Sequence, residues 1–169
     1  YVEAFWKWWE GELQHSLREL RVTGGEPSMS RQFWKLMKWW ETNQNSEIDF
    51  AINSNLGISD KIMDALIKYS HNVKSFHIYT SCEAYGTHAE YIRDGLDWRK
   101  WLSNVDRILE EGNIKSLNMM LTINSLCLFS LPEFMDEMMK IKRKHKSSSP
   151  VTSFNVSKKS LPLRLSYCL

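Results

Sequence analysis

Short apolar runs of strand length alternate along this chain with stretches whose apolar residues recur every three to four positions, the two periods that separate strands from amphipathic helices. The aromatic run Tyr1 to Glu10 predicts a helix, with Phe5, Trp6, Trp8 and Trp9 around Lys7 and Gly11 closing it. Leu17 to Thr23 reads as a strand that runs into Gly24, Gly25, Glu26 and Pro27. Ser30 is placed to cap the next helix, to Glu41, where Phe33, Met37 and Trp40 share a face with Leu36 beside it. Phe33-Trp34-Lys35 and Trp39-Trp40-Glu41 echo Phe5-Trp6-Lys7 and Trp8-Trp9-Glu10, which predicts two outer helices packing their tryptophans.

The alternation continues. Ile48 to Asn53 predicts a second strand, and Ser59 and Asp60 can cap a helix carrying Ile62, Met63, Leu66 and Ile67. Val73 to Ser81 predicts a third strand. Asp97 is placed to cap a helix with Trp98, Trp101, Leu102, Val105, Ile108 and Leu109 at near-ideal spacing. Leu117 to Asn124 predicts a fourth strand, and Ser130-Leu131-Pro132-Glu133 has the form of a capping box whose helix turns Phe134, Met135, Met138 and Ile141 inward. Val151 to Val156 is a candidate fifth strand, and residues 157–169 form a tail with no placeable pattern.

Strands alternating with amphipathic helices predict βαβ units and a parallel sheet. Four strand ends carry compact polar sets: Thr23-Gly24-Gly25-Glu26, Asn53-Ser54-Asn55, Ser81-Cys82-Glu83 and Asn124-Ser125. Ligands of α/β folds bind at the carboxyl ends of the strands, so these sets predict one shared small-molecule site. An eight-stranded barrel needs about 250 residues. The expected fold class is therefore α/β, a partial (β/α) barrel of parallel strands with outer helices over 1–156. It is expected to be incomplete at the N-terminus, with the C-terminus left open by the tail.

Composition narrows the function classes. A 169-residue chain with 43% hydrophobic and 25% charged residues is globular, and a net charge of +2 argues against a nucleic-acid or anionic-membrane partner. The basic run Lys140 to Lys146 reads as a solvated helix end. No apolar run approaches the roughly 20 residues of a membrane span. Cys82, Cys127 and Cys168 are odd in number and scattered, which points to a reducing, cytoplasmic setting and to no metal motif.

The glycine turn is the sharpest candidate. Two adjacent glycines at a strand-to-helix junction permit φ > 0 and let a ligand touch bare backbone. A phosphate loop is a poor fit, because no Gly-Lys-Ser/Thr follows and no third glycine stands in dinucleotide spacing. Glu26 and Glu83 at strand ends could form a glycosidase pair, a weak signal because sequence carries no carboxylate separation. Asn53, Asn55 and Asn124 read as structural, though each could line the same mouth.

In this order the motifs resemble the radical S-adenosylmethionine (SAM) superfamily, over roughly Tyr1 to Lys144. Leu20-Arg21-Val22-Thr23-Gly24-Gly25-Glu26-Pro27 is similar to its second-strand motif, whose backbone holds the amino group of the methionine moiety. Ser81-Cys82-Glu83-Ala84 resembles its fourth-strand end, facing ribose and methionine. Tyr91-Ile92-Arg93-Asp94-Gly95 resembles the following Ile-Arg-x-Gly segment, whose arginine can meet the methionine carboxylate. The aromatic first helix, Ala89 to Arg93 and Gly95 to Trp98 are similar to the twitch-domain branch.

The resemblance implies Gly24, Gly25, Glu26, Pro27, Ser81, Glu83 and Arg93 as SAM-binding residues. Carbonyls of Gly24 and Gly25 with Glu26 would serve the ammonium, Arg93 the carboxylate, and Ser81 and Glu83 the ribose hydroxyls. Two alternatives stay open: Arg93 as a surface cation paired with Asp94 or Glu90, and Ser81 as a turn cap. The family's Cys-x3-Cys-x2-Cys, which holds a [4Fe–4S] cluster, is absent from this chain. Ser28 and Ala84 also depart from the pattern.

What the resemblance implies, then, is a fragment of a radical SAM enzyme, inactive alone because the cluster ligands are missing. The parent would use SAM, a [4Fe–4S] cluster and an electron donor such as a flavodoxin or ferredoxin on an unknown peptide or small-molecule substrate. The competing expectation is a non-catalytic α/β binding or interaction module without a cluster.

Overall fold

The computed structural model describes residues 1–146 and 153–154. Five strands form one parallel sheet in sequential order: β1 (Glu19–Val22), β2 (Asp49–Asn53), β3 (Phe76–Ser81), β4 (Ser116–Met120) and β5 (Ser153–Phe154). Sequential order means that each crossover returns the chain to the neighbouring strand, the winding of a (β/α) barrel and not of a doubly wound sheet. The fold is α/β, a partial barrel of parallel strands with outer helices. Of the predicted fifth strand only Ser153–Phe154 is described, and the tail with Cys168 lies outside the described residues.

The register sorts the side chains onto two faces. Leu20, Phe50 and Phe76 align in one row and Val22, Ile52, Ile78 and Leu117 in another. These rows meet helices α3 (Arg31–Thr42), α4 (Asp60–Ser70) and α6 (Trp98–Glu111), and Phe50, Ile52, Phe76 and Ile78 are fully buried. Phe50 is the centre of this layer, 4.6 Å from the Trp40 ring and 5.3 Å from Phe76. Burying each such ring contributes roughly 2–3 kcal/mol. The alternate rows carry Arg21, Ala51, His77 and Ser116, then Asn53, Tyr79 and Asn118, so the second face is polar.

Helix spacing predicted the core well. Phe33, Leu36, Met37 and Trp40 of α3 are buried, as are Met63, Leu66 and Ile67 of α4 and Trp98, Trp101, Val105, Ile108 and Leu109 of α6. Ser30 accepts from the Gln32 N–H at 3.2 Å and Asp97 from the Lys100 N–H at 2.9 Å, as caps should. The first helix does meet α3 through tryptophan, with Trp9 5.1 Å from Trp39 and Trp6 donating to Gln32.

Three expectations need correction. Gly11 does not close the first helix: α1 (Val2–Trp8) passes through a π-helical turn (Trp9–Leu13) into α2 (Gln14–Ser16). Glycine costs a helix about 1 kcal/mol, less than is gained by burying Trp9 against Phe5, Trp39 and Trp40. Met135 of α7 (Leu131–Lys146) is 43% exposed, while Phe134, Met138 and Ile141 are buried. Ser130 turns its hydroxyl oxygen to the Tyr85 N–H at 3.2 Å, across to the β3 exit. No helix of the described residues is long and apolar enough to cross a membrane.

Candidate functional site at the strand ends

At the end of β1 the chain enters the left-handed region twice, with φ +93° at Gly24 and +55° at Gly25. A side chain is strained there, which explains the residue type. A Cβ built on either glycine would meet no atom within 4 Å, so both face open space. Among the described residues no hydrogen bond reaches the carbonyl of Gly24 or of Gly25. Two exposed, unengaged acceptors therefore sit side by side at a strand end.

Glu26 follows, and its carboxylate is engaged throughout. Oε1 accepts from the Ser28 N–H at 3.2 Å and the Ser28 hydroxyl at 2.7 Å. Oε2 accepts from the Asn55 N–H at 2.9 Å. The Ser54 hydroxyl lies 2.9 Å from both oxygens and bridges them. Four donor protons meet the roughly four lone-pair sites of an ionised carboxylate. Pro27 then opens a 3-10 turn, Pro27–Met29, and the Ser28 carbonyl accepts from the Trp34 indole at 2.7 Å.

The β2 exit is fixed just as tightly. Ser54 Oγ accepts from the Leu56 N–H and Asn55 Oδ1 from the Gly57 N–H, at 3.1 and 2.8 Å. Leu56 sits at φ +55°, rare for a branched residue, and is fully buried. Asn104 of α6 donates from Nδ2 to the carbonyls of Leu56 and Ile58, at 2.8 and 2.9 Å. Such strain persists only where its surroundings over-determine it.

At the β3 exit Ser81 is half-buried and aligned with Met120 of β4. Glu83 is only 4% exposed, and its Oε2 accepts from Arg93 Nε at 3.1 Å and Nη2 at 2.6 Å. Arg93 ends α5 (Thr87–Ile92) and is tied to Glu83, not to Asp94 or Glu90; Glu90 accepts from the Trp98 N–H instead. Adjacent strands lie about 4.8 Å apart, so the β1 and β3 exits stand roughly 10 Å from each other.

The structure thus joins Gly24 to Pro27 with the β2 exit and pairs Glu83 with Arg93. Ser28, which the sequence marked only as a departure from the family pattern, and Ser54 and Asn55, expected in a polar set at the mouth but not among the binding residues, complete its geometry. Asn124 is structural, its Oδ1 accepting from Leu126 and Cys127. Asn53 Oδ1 is buried without a partner. The glycosidase reading is weakened at one member, since the Glu26 carboxylate is already engaged by four donor protons from the protein itself.

A hollow of about 500 Å³ bordered by Gln14, Trp39 and Asn43 to Ile48 lies at the opposite ends of the strands, the wrong side for a strand-end ligand. Among the described residues no group of three metal-ligating side chains exists. Cys82 and Cys127 are buried, and burial pushes the Cys82 thiol up to about 11, which keeps it protonated. These residues do not fit an iron–sulfur cluster. The unengaged glycine carbonyls are free to accept from a ligand's N–H or ammonium group.

No family model matches the chain, and no curated protein matches it. Two crystal structures of Streptococcus suis SuiB, one bound to S-adenosylmethionine, share its fold with a TM-score of 0.51 at 14% identity. The match covers 73% of this chain and 27% of SuiB.

Proposed function

We propose that this chain forms the SAM-binding lip of a radical SAM-type enzyme of the twitch-domain branch, acting on a peptide or small-molecule substrate. One observation carries the reading: Gly24 and Gly25, both left-handed and exposed, have carbonyls that no hydrogen bond engages, at a strand end of a sequential parallel sheet. The SuiB likeness supports the fold in which such a lip works, and the motif order supports the cofactor.

On this reading the two carbonyls accept from the methionine ammonium, while Ser81 lies within reach of the ribose side. The resemblance implies that bound SAM supplies a hydrogen-abstracting radical. The chain's own contribution is to orient the methionine end and hold it against a fixed backbone. Arg93 can meet the methionine carboxylate only with the guanidinium edge that Glu83 leaves free. No step is assigned through a cluster, because the described residues hold no ligands for one.

Calorimetric titration with SAM tests this. The native chain is expected to bind and Gly25→Val to lose binding, since its side chain would fill the open space beside the carbonyls. Equal, negligible heats from both would remove the reading and favour a non-catalytic α/β module.

A further inference from the structure

We infer that Glu26 is a positioning residue and does not itself touch the cofactor ammonium. This rests on the proposed SAM lip and changes what its only carboxylate does. A carboxylate placed beside two free carbonyls would ordinarily be read as the ion-pair partner of an ammonium. Here the donors already on it are the Ser28 N–H and hydroxyl, the Ser54 hydroxyl and the Asn55 N–H. A ligand ammonium would have to compete with these donors for the carboxylate, and an orphaned backbone N–H costs about 1–3 kcal/mol where buried.

The clamp spans 29 positions of sequence, from Glu26 to Asn55, and joins the exits of two adjacent strands. On the β1 side it anchors the residue that directly follows Gly25, so it restrains the peptide planes that carry the two unengaged carbonyls. On the β2 side it holds the Asn55 N–H next to Leu56, whose left-handed backbone needs external support. Glu26 thus sets the direction of the two acceptors by locking the segment after them. It also leaves a net negative charge near the lip, an attraction at a distance and not a contact.

Two conservative variants separate clamp from contact. Glu26→Gln keeps the reach and removes the charge; Glu26→Asp keeps the charge and falls short of Asn55. Positioning predicts that Gln weakens SAM binding about tenfold or less, while Asp and Ala weaken it more than about thirtyfold, in line with the loss of one against several hydrogen bonds. The Asn55 amide should exchange with solvent faster in Asp and Ala, a local opening that global unfolding does not mimic. A larger loss in Gln than in Asp would overturn the inference in favour of an ion pair. Unchanged Asn55 exchange in Glu26→Ala would overturn it outright. Should the native chain fail to bind SAM, the proposed function falls, and Asn55 exchange still decides whether the clamp exists.

Discussion

Glu26 and Glu83 leave the ends of β1 and β3 with β2 between them, and the fold holds them by different physics. Glu26 is solvated by neutral dipoles: two backbone amides and two hydroxyls. Glu83 is buried and neutralised by one cation, Arg93, through two nitrogens on a single oxygen. The dipole-held carboxylate keeps its charge at the mouth and fixes direction. The ion-paired one cancels its charge and ties the β3 exit to the end of α5. The contrast divides the site into a side that orients acceptors and a side that fastens a loop, and a zwitterionic ligand between them would see both.

The largest test of this contrast is removal of the cation. Arg93→Ala leaves Glu83 buried without its counter-charge, and breaking a buried pair costs about 3–5 kcal/mol; with Arg93 partly exposed, a loss of about 2–3 kcal/mol is expected. Urea unfolding of the single variant and of Arg93→Ala/Glu83→Ala checks it, with the double variant recovering part of the loss. A loss below about 0.5 kcal/mol would place this pair among ordinary surface ion pairs.

On the dipole side the units are smaller. Ser54→Ala deletes one bridging hydroxyl from Glu26 and one acceptor from the Leu56 N–H, for an expected loss of about 1–2 kcal/mol by the same measurement. Added salt should leave that value unchanged, because no ion pair is involved.

A third carboxylate, Asp49, shows what happens at the opposite ends of the strands. It is half exposed and shared among Ser75, Lys115 and His77. Burial, helped by Lys115 and opposed by Asp49, holds His77 below its ordinary value of 6.5. The folded state therefore favours neutral His77. Its stability contribution is intact above pH 6.5 and shrinks as the pH falls below it. The expected decline is under about 1 kcal/mol, measured by thermal unfolding between pH 7.5 and 5.5, and His77→Gln should flatten it.

Much of the architecture was legible because it is local. The heptad-like spacing from Trp98 to Leu109, the caps at Ser30 and Asp97 and the alternation of strand and helix depend on neighbours in sequence, and each reappears in the structure. The glycine pair was legible for the same reason, since only glycine suits two consecutive left-handed residues at a strand end. Where local rules failed, a distant partner had decided the matter. Gly11 stays helical because Trp9 is buried on α3, and Ser130 serves the β3 exit because Tyr85 arrives there.

The sequence by itself thus determined the α/β class, the order of its elements and the presence of a bare-backbone turn after β1. Only the tertiary structure decided what the two strand-end carboxylates do. Their partners, Ser54 and Asn55 for Glu26 and Arg93 for Glu83, become neighbours when parallel strands align in register, and no period along the chain encodes that alignment. A carboxylate's role follows from which donors reach its lone pairs, and here the fold supplied them.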